Sequence, residues 1–127
     1  MNKAEENKPI SYAECFKQIG TTHLNRNMDS DDVIYTSEKP QLLFYGLADG
    51  QSGKRYCRQG AETVLEAIGE YIQDRKIHDL SQYRHIDEIQ YEIIRIVREK
   101  LGNLSLENQV KTTEFASTIL AMGIDPA

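Results

Sequence analysis

Basic charge, cysteine and long apolar runs are all scarce in this chain. Lysine and arginine total 15 against 20 aspartate and glutamate, giving a formal net charge of −5. Phosphate backbones are gripped by a basic face, so this balance excludes a general nucleic-acid binder. No apolar window approaches the ~20 residues that a membrane-spanning helix needs, so no membrane partner is expected. Met1 to Lys8 is polar and charged, without the apolar segment of a secretory signal. The two cysteines, Cys15 and Cys57, have neither metal-ligand spacing nor a disulfide framework and read as free thiols in a reducing cytoplasm. Cys57 stands amid Arg55 and Arg58, charges that would lower a thiol pKa. The loop of a cysteine nucleophile is missing around it, so an ordinary thiol is expected. His23, His78 and His85 have no metal-ligand spacing to one another and read as structural or solvated. There is no Gly-x4-Gly-Lys phosphate loop, no internal repeat and no low-complexity segment.

What is present describes one ordinary domain. The 127 residues, 39% of them hydrophobic, are enough for a real core. The most informative stretch runs from Leu42 through Leu43-Phe44-Tyr45-Gly46-Leu47-Ala48 to Asp49-Gly50 and on to Gly53. A short, dense apolar run of this kind reads as a buried central strand. Gly50 then permits a turn that a residue with a Cβ would resist. Asp49 falls at the rim of the sheet, either as a ligand-facing carboxylate or as part of an Asp-Gly turn without chemistry.

Around this strand the chain divides readily. Residues 1–9 are a polar lead expected to fray, and 10–127 form the domain. From Ile10 to Asp49 the pattern is mostly β, with a strand over Ser30–Thr36, a turn at Ser37-Glu38-Lys39-Pro40 and a hairpin partner beyond it. Ala61, Val64, Leu65, Ile68, Tyr71 and Ile72 share one helical face. Ile86, Ile89, Ile93, Ile96, Val97 and Leu101 repeat the pattern, with a stop expected at Gly102-Asn103. Arg84, Glu88, Glu92, Arg95, Arg98 and Lys100 read as the solvated surface of that second helix, and Tyr83 and Tyr91 as its core margin. Glu114–Ile124 reads as a buried strand, in which Ser117 and Thr118 would need hydrogen-bond partners.

The order of these pieces carries a resemblance. Asn27-Met28-Asp29-Ser30 comes first, then Leu42–Gly53, then Gly60-Ala61-Glu62-Thr63-Val64-Leu65-Glu66-Ala67-Ile68, then Ala116-Ser117-Thr118-Ile119-Leu120. Over roughly residues 19–124 this resembles the N-terminal half of the metal-dependent (PPM-type, type 2C) protein serine/threonine phosphatases. The resemblance implies an α+β fold, part of a phosphatase-type β-sandwich flanked by helices: β strands, two long antiparallel helices, then a further strand. It implies a phosphoprotein substrate and two divalent cations, manganese or magnesium, held by hard oxygen ligands. Asp49 matches the carboxylate that bridges both metals, and the Gly50 carbonyl a further ligand. Asp29 matches the aspartate of an upstream acidic pair, whose partner position holds Met28. The phosphate-binding arginine falls about at Leu24, and Arg26 is the nearer candidate for that contact because guanidinium grips phosphate bidentately. Asp31 and Asp32 lie close enough to be considered as substitutes, although a solvated acidic turn is the plainer reading. Gln51, Ser52 and Ala116 also depart from the usual residues.

The family fold is about twice this length and draws further metal aspartates from its second half, so the resemblance implies an incomplete two-metal site. The chain is then expected to be a piece of a longer bacterial-style enzyme, to pair with a complementing C-terminal segment or a second copy as a homodimer, or to be a non-catalytic pseudophosphatase serving in partner binding or assembly. The apolar strand close to its end favours the first.

Overall fold

The computed structural model describes residues 31–51, 53–74 and 86–126. Arg26, Asp29, Leu24, Met28, Ser52, the three histidines, Tyr83, Arg84 and the lead 1–9 lie outside the described residues.

Strand β1 (Val33–Lys39) and strand β2 (Leu42–Gly50) form an antiparallel hairpin, with Lys39 paired to Leu42 and Val33 to Ala48. The strand runs three residues further than its β-branched segment suggests, through Ser37-Glu38-Lys39, and the turn narrows to Pro40-Gln41. Side-chain partners hold those polar residues extended. Tyr45 Oη donates to Glu38 Oε1 at 3.0 Å, and Ser37 Oγ donates to Gln73 Oε1 at 3.1 Å. Pro40 presets the φ that the first turn position requires.

Helix α1 (Cys57–Asp74) crosses the sheet and touches all three strands. Its stripe Ala61, Val64, Leu65 and Ile68 is buried, as the 3.6-residue spacing requires. Val33 and Ala48 pack with Ala61 and Leu65, while Phe44 packs with Val64 and Ile68. Tyr35 bridges the two groups and meets Phe44 edge-on, with ring centroids 5.9 Å apart. Helix α2 (Ile86–Asn108) lies on α1 and brings Ile93, Val97 and Leu101 against the Phe44 group.

Helix α2 does not stop at Gly102-Asn103. Leu104, the next residue, is buried and extends the apolar stripe one turn past Leu101, and a Cβ on Gly102 would meet open space. The cost of a helical glycine, roughly 1 kcal/mol, is therefore borne without a packing gain at that residue. The stop comes at Gln109, in the left-handed region at φ 55. Asn108 Nδ2 caps the Leu104 carbonyl at 2.9 Å, and Ser105 Oγ donates to the Val110 carbonyl. Glu88, Arg95, Arg98 and Lys100 are exposed as expected, with Arg95 paired to Glu92 and Glu99. Tyr91 is exposed as well, 70% of its surface open to solvent, rather than lying at the core margin. It shares the outward face with Arg95 one turn on, while Ile89 and Ile93 point inward.

The last segment departs most from expectation. Thr112–Phe115 is a 3-10 turn, and only Ser117–Ile124 forms strand β3. Strand β3 pairs antiparallel with β2, Gly50 to Ser117 and Leu43 to Ile124, giving the order β1-β2-β3. Far from being buried, it is exposed along most of its length. It lies at an edge of the described sheet, and α1 touches it while leaving most of its side chains open to solvent. On the face turned from α1, Leu47, Leu120 and Met122 are exposed side by side. The described elements are thus α+β with a single three-stranded sheet; the second sheet of the expected sandwich is not among the described residues. No helix of the described residues is long and apolar enough to cross a membrane.

One polar group is built into this core. Gln73, 3% exposed, donates from Nε2 to the Ser37 carbonyl at 2.9 Å and the Leu42 carbonyl at 3.2 Å. It ties the end of α1 to both sides of the hairpin turn. Gln73→Ala is expected to cost about 1–3 kcal/mol, the penalty for stripping partners from buried polar groups, read as a lower urea midpoint with an unchanged slope.

Candidate functional site

Residues alternate sides along a strand, and this decides where Asp49 goes. Phe44, Gly46 and Ala48 face α1: the first and last pack on it, and a Cβ on Gly46 would lie 2.6 Å from Leu65 Cδ2. Leu47 and Asp49 therefore point to the opposite face, which Asp49 meets at the very end of β2, exposed. Its register partner on β3 is Thr118, whose Oγ1 donates to the Asp49 carbonyl at 3.4 Å.

Asp49, Gly50 and Gln51 from β2 and Ala116, Ser117 and Thr118 from β3 together line an open cleft of about 460 Å³. The ladder continues past the strand end, where Gln51 N donates to the Ala116 carbonyl at 3.0 Å. Beyond it, Lys54 N returns to the Gln51 carbonyl at 3.1 Å, and Gly53 takes φ 79 in this turn. The turn is braced from outside. Tyr56 N donates to the Glu114 carbonyl at 3.2 Å, the Tyr56 and Phe115 rings lie 5.7 Å apart, and Lys54 Nζ reaches Glu114 at 4.0 Å.

Behind the cleft, toward α1, the Gly50 backbone is closely packed. A Cβ there would lie 2.6 Å from Cys57 Sγ and 2.7 Å from the Asp31 carbonyl oxygen, so only glycine fits. Cys57 is a buried free thiol. Burial first, and then the charge of Asp31, push its pKa above the usual thiol value, outweighing the backbone N–H of Arg58 that pulls it down. It is accordingly no nucleophile. Asp31 hydrogen-bonds that thiol, so it sits on the α1 side of the sheet rather than beside Asp49. Asp32 is exposed.

Among the described residues the cleft offers oxygen ligands: the Asp49 carboxylate and the Thr118 hydroxyl, whose residues share a face of the sheet, with the Gln51 amide and the backbone carbonyls of the strand ends beside them. That chemistry suits a hard divalent cation that keeps much of its water. No group of three or more His, Cys, Asp or Glu side chains able to hold a metal occurs among the described residues, so the cleft fits one side of a metal site rather than a full cage. Asp29 and Arg26 lie outside the described residues. Sequence reasoning placed Asp49 and Gly50, followed by Gln51, at the rim but gave Ser117 and Thr118 no place beside them. The Ala116-Ser117-Thr118 motif was visible, yet strand register across an intervening helix pair has no signature in a single sequence.

No curated protein and no solved structure matches the chain. A family model described as protein phosphatase 2C matches residues 19–127. That span includes both cleft-forming strand ends and both helices, and the chain belongs to the protein phosphatase 2C family.

Proposed function

We propose that this chain supplies the Asp49–Gly50 edge of a divalent-metal site in a phosphoprotein serine/threonine phosphatase, and that the segment alone is inactive. The observation that carries this reading is an exposed carboxylate at the end of the central strand, opening into a cleft of oxygen donors. Asp49 would hold the cation through its carboxylate and Gly50 through its carbonyl, with Asp29 as a further ligand and Arg26 as a phosphate contact. When bound, manganese or magnesium supplies an activated water and neutralises phosphate charge. The residues of this chain orient and bind: the β2–β3 ladder fixes the ligand backbone, and the brace at Tyr56, Glu114 and Phe115 holds the turn that follows. Cys57 as a buried free thiol agrees with a reducing, cytoplasmic setting.

A second reading, a non-catalytic phosphatase relative used for partner binding or assembly, is favoured by the single carboxylate that the described residues bring to the cleft and by Met28, Leu24 and Gln51. The two separate in one assay. Release of phosphate from a phosphoserine peptide by the longest chain the gene encodes should require added Mn2+. No release at any Mn2+ concentration, with the fold intact, would favour the non-catalytic reading.

A further inference from the structure

Two side chains that phosphatase chemistry does not use meet directly behind the proposed metal edge. Cys57 opens α1 and is 1% exposed, and its thiol is hydrogen-bonded to the Asp31 carboxylate. Both press on Gly50: an ideal Cβ at that position would lie 2.6 Å from Cys57 Sγ, 2.7 Å from the Asp31 carbonyl oxygen and 2.9 Å from Asp31 Cβ. On its other side Gly50 is paired with Ser117, and the next amide, Gln51 N, donates to Ala116. The Gly50 peptide is therefore held between strand β3 and a thiol–carboxylate pair.

We propose that Asp31 and Cys57 are positioning residues for the metal edge, fixing the Asp49–Gly50–Gln51 backbone so that its oxygens meet a cation without rearrangement. This rests on the metal reading of the cleft. The pair lies on the α1 side, out of reach of a ligand in the cleft, and acts through Gly50. Ligand-orienting partners of this kind typically govern metal affinity by about 10–100-fold.

The test compares the unsubstituted chain with Cys57→Ser, Cys57→Ala and Asp31→Asn by Mn2+ calorimetry and by amide hydrogen exchange at Gln51 without metal. Cys57→Ala is expected to weaken Mn2+ binding by about 10–100-fold and to speed Gln51 exchange. Cys57→Ser, which keeps a hydroxyl donor, is expected to restore both, and Asp31→Asn to fall between. Unchanged exchange and affinity in Cys57→Ala overturn the positioning role. Equal losses in the Ser and Ala variants, tracking their thermal stability, do so as well. Failure of the metal reading looks different: the unsubstituted chain takes up no Mn2+. Exchange at Gln51 then decides by itself whether the pair holds the rim.

Discussion

Phe44→Ala should remove about 3–5 kcal/mol of folding stability, the range for emptying a fully buried aromatic site. Phe44 has no exposed surface, packs with Val64 and Ile68 of α1 and meets the Tyr35 ring edge-on, in a cluster that Ile93, Val97 and Leu101 of α2 close from outside. Little of the resulting void can close. The backbone of α1 already comes as near as it can at Gly69, where a Cβ would lie 2.9 Å from Phe44 Cδ1. A loss of this size is a large share of the 5–15 kcal/mol that a typical domain holds, so the variant should be partly unfolded at room temperature. The control is Leu47→Ala on the same strand, at a side chain 49% exposed on the other face, where a change within about 0.5 kcal/mol is expected. Urea denaturation of both decides the matter. Equal losses at the two positions would mean that α1 does not cover the sheet as described.

Asp49→Asn should have the reverse signature, leaving the fold alone and removing the cation. The side chain is exposed, and the contact from Thr118 goes to the Asp49 backbone carbonyl, which asparagine retains. The substitution removes one negative charge from a cleft whose lining, among the described residues, holds no other carboxylate. Mn2+ affinity is expected to fall by about 100-fold or more, beyond what loss of an orienting partner alone produces, while the thermal midpoint stays put. A Mn2+ titration alongside a melting curve reads both. Retention of full affinity by Asp49→Asn would place the cation elsewhere and strip Asp49 of its proposed role.

Much of the fold was legible in the residues. The Leu42–Gly50 run is dense because the strand is central in the described sheet, and Ala61, Val64, Leu65 and Ile68 repeat at helical spacing because one face of α1 lies on that strand. Boundaries were less legible, since they depend on partners remote in sequence. Ser37-Glu38-Lys39 looks like turn chemistry until Tyr45 and Gln73 reach it. Gly102 looks like a terminator until Leu104 is seen to be buried beyond it. Strand β3 misled for a different reason. An uncharged stretch such as Ser117–Ile124 signals apolar surroundings, yet in the described sheet it is an exposed edge. For the site, the rim position of Asp49 and Gly50 could be read from the abrupt end of an apolar run. The hydroxyl side of the cleft could not, nor could the Asp31–Cys57 contact, because each joins residues that only tertiary register brings together.

The pairing of Thr118 with Asp49 also sets an order of assembly. Those residues are 69 positions apart in the chain, whereas β1 and β2 are joined by two residues. Long loops close late, because their entropy is lost before any contact repays it. The hairpin and α1 are expected to meet first, with β3 docking onto the remaining edge of β2 afterwards. Nascent chains that have released everything up to Asp74 from the ribosome would already own the carboxylate but have no cleft around it, and on the metal reading cation capture would wait until strand β3 arrives.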